Sequence, residues 1–209
     1  HDVVRHISRW TTHEHQDALA RQAATMILTL RGSVCLYQGE ELGLTEADLA
    51  FEDLVDPYGI EFWPEFKGRD GARTPMVWQA AAHLGAFTSA PRSWLPVPAD
   101  HLPKAVDEQL KANDSVLAHY RASLAFRKRH PALAKGALGL LDAPDGVLAF
   151  TRTDGTETLL CVFNMSETAS VFAVPTGMTP KAADAPGSID DPRDGVLELP
   201  PFGAYVGML

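Results

Sequence analysis

Cysteine is nearly absent from this chain: two occur in 209 residues, Cys35 and Cys161, each inside an apolar run. That excludes a disulfide framework and makes two buried thiols the expectation. Basic residues are outnumbered by acidic ones, 18 against 27, and the net charge of -9 would repel phosphate backbones and anionic membranes. Nucleic acid and membrane are therefore set aside as partners. No apolar stretch reaches the ~20 residues of a membrane span, and there is no internal repeat or low-complexity tract. The chain also lacks an initial Met and a basic-then-apolar leader, opening directly on His1-Asp2-Val3-Val4-Arg5. It reads as cut from something longer, with a cytoplasmic location as the default. What is present is ordinary for a globular chain, 45% hydrophobic and 22% charged residues, which excludes wholesale disorder.

From Glu14 to Leu30, the residues Leu19, Ala23, Met26, Ile27 and Leu30 recur at helical steps, with Arg31 and Gly32 as a stop. Ser33 to Tyr37 is short and apolar, which predicts a fully buried strand, and helix followed by buried strand is the unit of a parallel α/β protein. A long stretch rich in Gly, Pro, Trp and Asp follows, from Gly39 to about Leu102, with a short helical possibility at Glu46 to Leu54. Loops of this length are uncommon and usually functional, and in an α/β barrel they lie at the active-site face. Asp114 to Arg129 is a second helix, with Val116, Leu117, Tyr120, Leu124 and Phe126 or Arg127 on its apolar face and His130-Pro131 ending it. The Arg127-Lys128-Arg129-His130 cluster reads as dipole complementation on a solvated face rather than a nucleic-acid patch.

From Gly136 the pattern turns to β runs at Val147 to Thr153, Thr158 to Phe163, Ser170 to Val174, Val196 to Leu199 and Tyr205 to Met208. Asp145-Gly146, Asp154-Gly155 and Asp194-Gly195 supply the positive-φ chemistry of hairpins. The fold expected is thus α/β plus all-β: residues 1–135 as an α/β part and 136–209 as an antiparallel β-sandwich domain.

His1, Asp2 and Arg5 put an imidazole, a carboxylate and a guanidinium close together, a set suited to holding sugar hydroxyls. On the pentapeptide alone, a frayed end or helix cap is the plainer reading. His6, His13, Glu14 and His15 lack His-Glu-x-x-His spacing, so no metal site is assigned. Asn164-Met165-Ser166 fits the glycosylation pattern but reads as a turn after a strand.

Two further runs, Tyr37-Gln38-Gly39-Glu40-Glu41-Leu42-Gly43 and Gly68-Arg69-Asp70-Gly71-Ala72-Arg73-Thr74-Pro75-Met76-Val77-Trp78, follow the His-Asp pair in order. Together with Asp56-Pro57-Tyr58-Gly59 and the stretch from Tyr120-Arg121 to His130-Pro131-Ala132-Leu133, they resemble glycoside hydrolase family 13, the α-amylase family, in its α-glucosidase and oligo-1,6-glucosidase branch. The resemblance runs from residue 1 to about residue 165. It implies the C-terminal part of a (β/α)8 barrel, from after strand seven through helix eight, followed by the β domain.

By that resemblance Asp2 matches the third catalytic carboxylate, which binds two sugar hydroxyls and stabilises the transition state, and His1 contacts the same sugar. Arg69 matches the arginine that binds the 4-hydroxyl of the terminal glucose and makes such enzymes exo-acting. Glu46, in the loop after strand eight, is a substrate-binding candidate on the leaving-group side. For Glu40 and Glu41 bracing of the site is expected. The family is retaining, with nucleophile and acid/base carboxylates ~5 to 5.5 Å apart, and the resemblance places both before this chain begins. A barrel needs about 250 residues, so the chain alone is expected to be inactive. No organic cofactor is implied, and a structural calcium would be held by segments outside this chain. The substrate implied is an α-glucoside or oligosaccharide. Two related readings stand beside it: a glucosyl-shifting enzyme of the trehalose synthase or sucrose isomerase type, and a non-catalytic, transporter-associated relative. A polysaccharide-binding β tail is a further alternative, resting on Phe150, Phe163, Phe172, Phe202 and Tyr205, which could equally be core.

Overall fold

A computed structural model describes residues 1–10, 13–155 and 157–209; of His13 only the backbone is described. In chain order the elements are helices α1 (His6–Arg9), α2 (Gln16–Thr29), α3 (Pro57–Glu61), α4 (Val106–Gln109), α5 (Val116–Arg129) and α6 (Pro131–Lys135), then strands β1 (Ala137–Leu140), β2 (Val147–Thr153), β3 (Thr158–Asn164), β4 (Ser170–Ala173), β5 (Lys181–Ala182), β6 (Val196–Leu199) and β7 (Ala204–Met208). The chain divides into two compact units, one of residues 1–12 and 36–118, the other of 13–35 and 119–209. The expected boundary at residue 135 follows the change in sequence pattern; these units instead group 13–35 and 119–135 with the strands.

The first unit is mostly irregular, as the Gly- and Pro-rich composition of the long loop demands. Leu42, Leu44, Met76, Val77 and Ala105 form one small core, and Leu49, Leu54 and Leu95 another. The helical possibility at Glu46 to Leu54 shrinks to a single 3-10 turn at Phe51–Asp53. So little apolar surface cannot order this much backbone alone, and polar side chains bonded to main-chain groups take up the task, as the site below shows.

In the second unit β1, β2, β3, β7 and β5 form an antiparallel sheet in that order, and β4 and β6 form a separate pair. β3 is buried on both faces. Leu159, Cys161 and Phe163 pack with Phe126 and Leu133, and with Met26 and Leu30 from the end of α2. Leu160 and Val162 pack with Phe172, Leu197, Leu199 and Tyr205 beneath the β4–β6 pair. The two-residue alternation of a strand is therefore intact but apolar on both sides, which is why β3 reads as a continuous hydrophobic run. Asp194 and Gly195 have φ of 49° and 77°, and Arg193 and Val196 exchange both backbone bonds across them at 2.9 Å, a type I′ turn.

Several expectations change here. Ser33 to Tyr37 pairs with no strand among the described residues, and the backbone groups of Tyr37 are taken up locally, its N–H by the Glu40 carboxylate and its carbonyl by the Glu40 N–H. Cys35 is consequently exposed, whereas Cys161 is buried and its thiol is pushed up to about 12 by that burial. On α5 the buried residues include Val116, Tyr120, Ser123 and Phe126, while Leu124 faces out. Arg127 does not lie on a solvated face: it donates to the carbonyls of Leu28, Leu30 and Gly32 at 2.6, 3.0 and 2.8 Å, capping the end of α2 rather than its own helix. Asn164 is fully buried, its Nδ2 donating to the Thr168 and Pro200 carbonyls at 2.7 and 2.9 Å, so the sequon is a turn. The five aromatics offered for a polysaccharide-binding tail are all core residues, none more than 4% exposed.

Candidate active site

The site grows from two buried aspartates in the first unit. Asp70, 1% exposed, accepts the backbone N–H groups of Val55 and Asp56 through Oδ2, both at 2.7 Å. This fixes the chain at Asp56, whose own side chain is buried. Asp56 Oδ1 caps α3 by accepting from the Tyr58 N–H at 3.3 Å, and its Oδ2 accepts the Arg69 N–H at 2.8 Å. The same carboxylate grips the Arg69 guanidinium in a fork, Nε to Oδ2 and Nη2 to Oδ1, each at 2.8 Å. Those bonds hold the Asp56 carboxyl well below the usual carboxylate range and raise Arg69 in turn. α3 is pressed on this segment at a glycine pair: a Cβ on Gly59 would come within 2.6 Å of the Lys67 carbonyl oxygen.

One corner of Arg69 remains for Asp2, with Nη1 at 3.3 Å from Oδ1. Arg73 lies one 3-10 turn later (Asp70–Ala72) and comes closer, donating Nη2 to Asp2 Oδ1 at 2.8 Å and Nε to the His1 carbonyl at 2.9 Å. His1 Nε2 is 3.3 Å from the same Oδ1. Three cationic or protonatable groups thus converge on one oxygen. Asp2 Oδ2 has no partner among the described residues, and the side chain is 59% exposed. A carboxylate pinned by one oxygen and open at the other is an acceptor for ligand hydroxyls.

Arg5 has a different task from the one its place beside His1 and Asp2 suggested. It is 5% exposed, and its guanidinium donates to the carbonyls of Thr45, Gln38 and Ala72 at 3.0, 3.4 and 3.0 Å. It ties three loop segments together and is not free for sugar. Gly39, at φ 98°, lets the chain pass over it, since a Cβ there would meet Arg5 Nη2 at 3.2 Å. Glu40 and Glu41 brace the same turn: Glu40 pairs with His6 Nδ1 at 3.2 Å and accepts from the Tyr37 N–H at 3.2 Å, and Glu41 accepts the Gly39 N–H at 2.8 Å.

The structure brings His1, Asp2 and Arg69 together, as expected, and leaves Glu46 apart. Glu46 Oε2 accepts from the Arg5 N–H at 3.4 Å, and its carboxylate lies against Gly71, where a Cβ would be 2.5 Å from Oε1. Burial pushes its carboxyl up. Arg73, Asp56 and Asp70 are the residues that sequence reasoning left without roles. The only signal for Arg73 was its four-residue step from Arg69. A cavity of about 510 Å³ opens beside the cluster, lined by His1, Arg73, Tyr37, Phe87 and Trp94 among others. Among the described residues no group of three or more His, Cys, Asp or Glu gathers as a metal site, and no helix is long and apolar enough to cross a membrane. The side chain of His13 lies outside the described residues.

Comparison with known proteins completes the picture. A family model described as alpha amylase, catalytic domain, matches residues 1–136, and one described as maltogenic amylase, C-terminal domain, matches residues 139–206. A probable alpha-glucosidase of Rhizobium meliloti (strain 1021) is 47% identical over 211 residues, covering 100% of this chain and 38% of its own. An oligo-1,6-glucosidase of Heyndrickxia coagulans is 33% identical over 198 residues, covering 84% of this chain and 35% of its own. Among solved structures, an alpha-glucosyl transfer enzyme, XgtA, superposes with a TM-score of 0.93 at 44% identity, over 100% of this chain and 38% of that one. An isomaltulose synthase of Erwinia rhapontici, solved with its natural substrate sucrose, superposes with a TM-score of 0.85 at 27% identity, over 100% of this chain and 41% of that one. The chain spans about two fifths or less of the length of these relatives.

Proposed function

The chain belongs to the α-amylase family, and on that premise we propose that it is part of a retaining, exo-acting α-glucosidase that releases or transfers the terminal α-linked glucose of a glucoside or oligosaccharide. The observation that carries the reading is the Asp2 carboxylate, held at Oδ1 by Arg69, Arg73 and His1 with Oδ2 left for a ligand. Two hydroxyls of the glucose ring donate to Asp2, and its negative charge sits where the ring turns positive as the glycosidic bond breaks. Arg69 is half of the answer for the 4-hydroxyl. Its Nε and Nη2 are already taken by Asp56, so Arg73 shares that contact. His1 contacts the same sugar. Glu46 acts from behind, by setting Arg5 and the loop at Gly71.

The nucleophile and the acid/base lie outside these residues, so the 209-residue chain alone does not turn over. Residues 1–135 are read as the barrel end and 136–209 as the C-terminal β domain, on the change of pattern at Gly136. The reaction needs no organic cofactor. The test uses the full-length protein. Asp2→Asn should lower kcat on an α-glucoside by about a thousandfold, in the range found when one transition-state contact to developing charge is lost. Wild-type turnover giving the α-anomer, seen by NMR before mutarotation, is the expected stereochemistry; a β-anomer, or an Asp2→Asn variant within tenfold of wild type, sinks the reading.

A second reading is glucosyl transfer as the main outcome, favoured by the 44% identity to an alpha-glucosyl transfer enzyme. Product ratios decide between them: free glucose accumulating in step with cleavage supports hydrolysis, and glucosylated acceptor exceeding free glucose supports transfer.

A further inference from the structure

Asp56 does more than a helix cap requires. Its carboxylate accepts four hydrogen bonds, and only the longest, from the Tyr58 N–H at 3.3 Å, belongs to α3. The other three come from Arg69, from its backbone N–H, Nε and Nη2, each at 2.8 Å. The grip is returned by the next residue: Asp70 accepts the Val55 and Asp56 N–H groups at 2.7 Å, so Asp56 holds Arg69 while Asp70 holds the backbone of Asp56. The Asp56 side chain is 0% exposed and that of Arg69 28% exposed, so the pair is fixed from its buried end. Gly68 permits the approach, since a Cβ there would stand 3.0 Å from Asp56 Oδ2. With Nε and Nη2 turned inward and the Tyr58 ring beneath, its centroid 5.1 Å from the guanidinium carbon, Nη1 is the corner turned to Asp2.

A guanidinium is one rigid plane, so fixing two of its nitrogens fixes the remaining one. An Arg69 without that hold could swing Nη1 away from Asp2, and a misplacement of about 1 Å beside a reacting group can cost about a hundredfold in rate. We propose that Asp56 is a positioning residue: by holding the inner edge of Arg69 it aims Nη1 at the 4-hydroxyl of the glucose bound by Asp2, and so sets the preference for substrates that carry that hydroxyl. The inference rests on the α-glucosidase reading and names the residue that fixes its selectivity from behind. Asp56 itself meets no sugar, because its oxygens are buried and already taken. The fork also bears on the residue type at position 69. A lysine ammonium is a point charge that could serve the buried carboxylate or the sugar, but not both.

The experiment uses the full-length protein with p-nitrophenyl α-glucopyranoside and its 4-deoxy analogue. Wild type should favour the first in kcat/KM by about tenfold or more, the size of a hydrogen bond to a charged group. Asp56→Asn keeps an acceptor for the Arg69 N–H and Nε but turns an NH2 group towards Nη2, which opens one arm of the fork. It should lower the preference by about fivefold through a loss confined to the glucoside. Arg69→Met should abolish the preference, and adding Asp56→Asn to it should change the ratio no further. Equal losses on both substrates in Asp56→Asn overturn the positioning role, and so does a lower melting temperature with the ratio unchanged. Should Asp56→Asn not fold, Arg69→Lys tests the same point while leaving Asp56 a cationic partner: its preference should vanish as in Arg69→Met. A lysine variant that keeps the preference overturns the role, because a cation without the fork would then suffice. A wild-type enzyme inactive on the glucoside overturns the α-glucosidase reading itself, whereas an active one indifferent to the 4-hydroxyl overturns only the positioning role.

Discussion

Asp2, Asp56 and Asp70 are three aspartates within one network, and their surroundings give them three tasks. Asp70 and Asp56 are buried and use their oxygens on backbone N–H groups and on Arg69, so they build; Asp2 is exposed and keeps an oxygen free, which suits it to the binding role proposed for it. The depressed carboxyl of Asp56 carries a pH consequence. Its contribution is fully present above the unfolded value of about 3.9 and is lost as pH falls through its lower folded value, so it is flat across the neutral range. The histidines behave differently. Burial pushes His101 in the first unit and His119 in the second down to about 4. Between the unfolded value of about 6.5 and 4, the unfolded chain binds the extra protons, and stability falls on acidification across that window. We expect urea midpoints to drop between pH 7 and pH 4.5, with a smaller drop in His119→Gln. Midpoints that stay level over that range would contradict the assignment.

At the scale of elements, the β runs read from Gly136 onward were located to within a residue, because a two-residue alternation and Asp-Gly turns act over short distances. β1 and β5 went unnoticed: Ala137–Leu140 is mostly exposed and Lys181–Ala182 is two residues long, so neither has a periodic signal. The missing strand at Ser33 to Tyr37 shows the opposite limit. Its apolar composition is real, but a strand exists only with a partner for its backbone. The burial of β3 on both faces sets a clear contrast for mutation. Phe163→Ala, at 0% exposure between helices and sheet, should cost about 3–5 kcal/mol in denaturant titration. Leu140→Ala, 73% exposed on β1, should stay within about 0.5 kcal/mol of wild type. Similar costs at the two positions would mean that β3 is not the core the packing describes.

For the whole molecule, the two units differ in how they are held. The second has a sheet covered on both faces; the first relies on small clusters and on side chains bonded to backbone, with Arg5, Asp56 and Asp70 at its nodes. In hydrogen exchange of the 209-residue chain, we expect the slowest amides in β2, β3 and β7 and early exchange in the loops of the first unit. The same sample should show no glucoside turnover; hydrolysis by this chain alone would require a nucleophile within it and would overturn the site described here.

The sequence by itself determined the two long helices, five of the β runs with their Asp-Gly turns, and membership in the α-amylase family through motifs in a recognisable order. Those signals are local or linear, set by periodicity, by φ at a few turns and by short strings of residues. Only the tertiary structure decided that Arg73 meets Asp2 across 71 positions, that Arg127 caps a helix 97 residues away, that Glu46 accepts from the Arg5 N–H, and that Tyr58 lies beneath Arg69. Such pairings depend on the path of a long irregular loop. That path is fixed by buried carboxylates and guanidinium groups whose partners no local rule names.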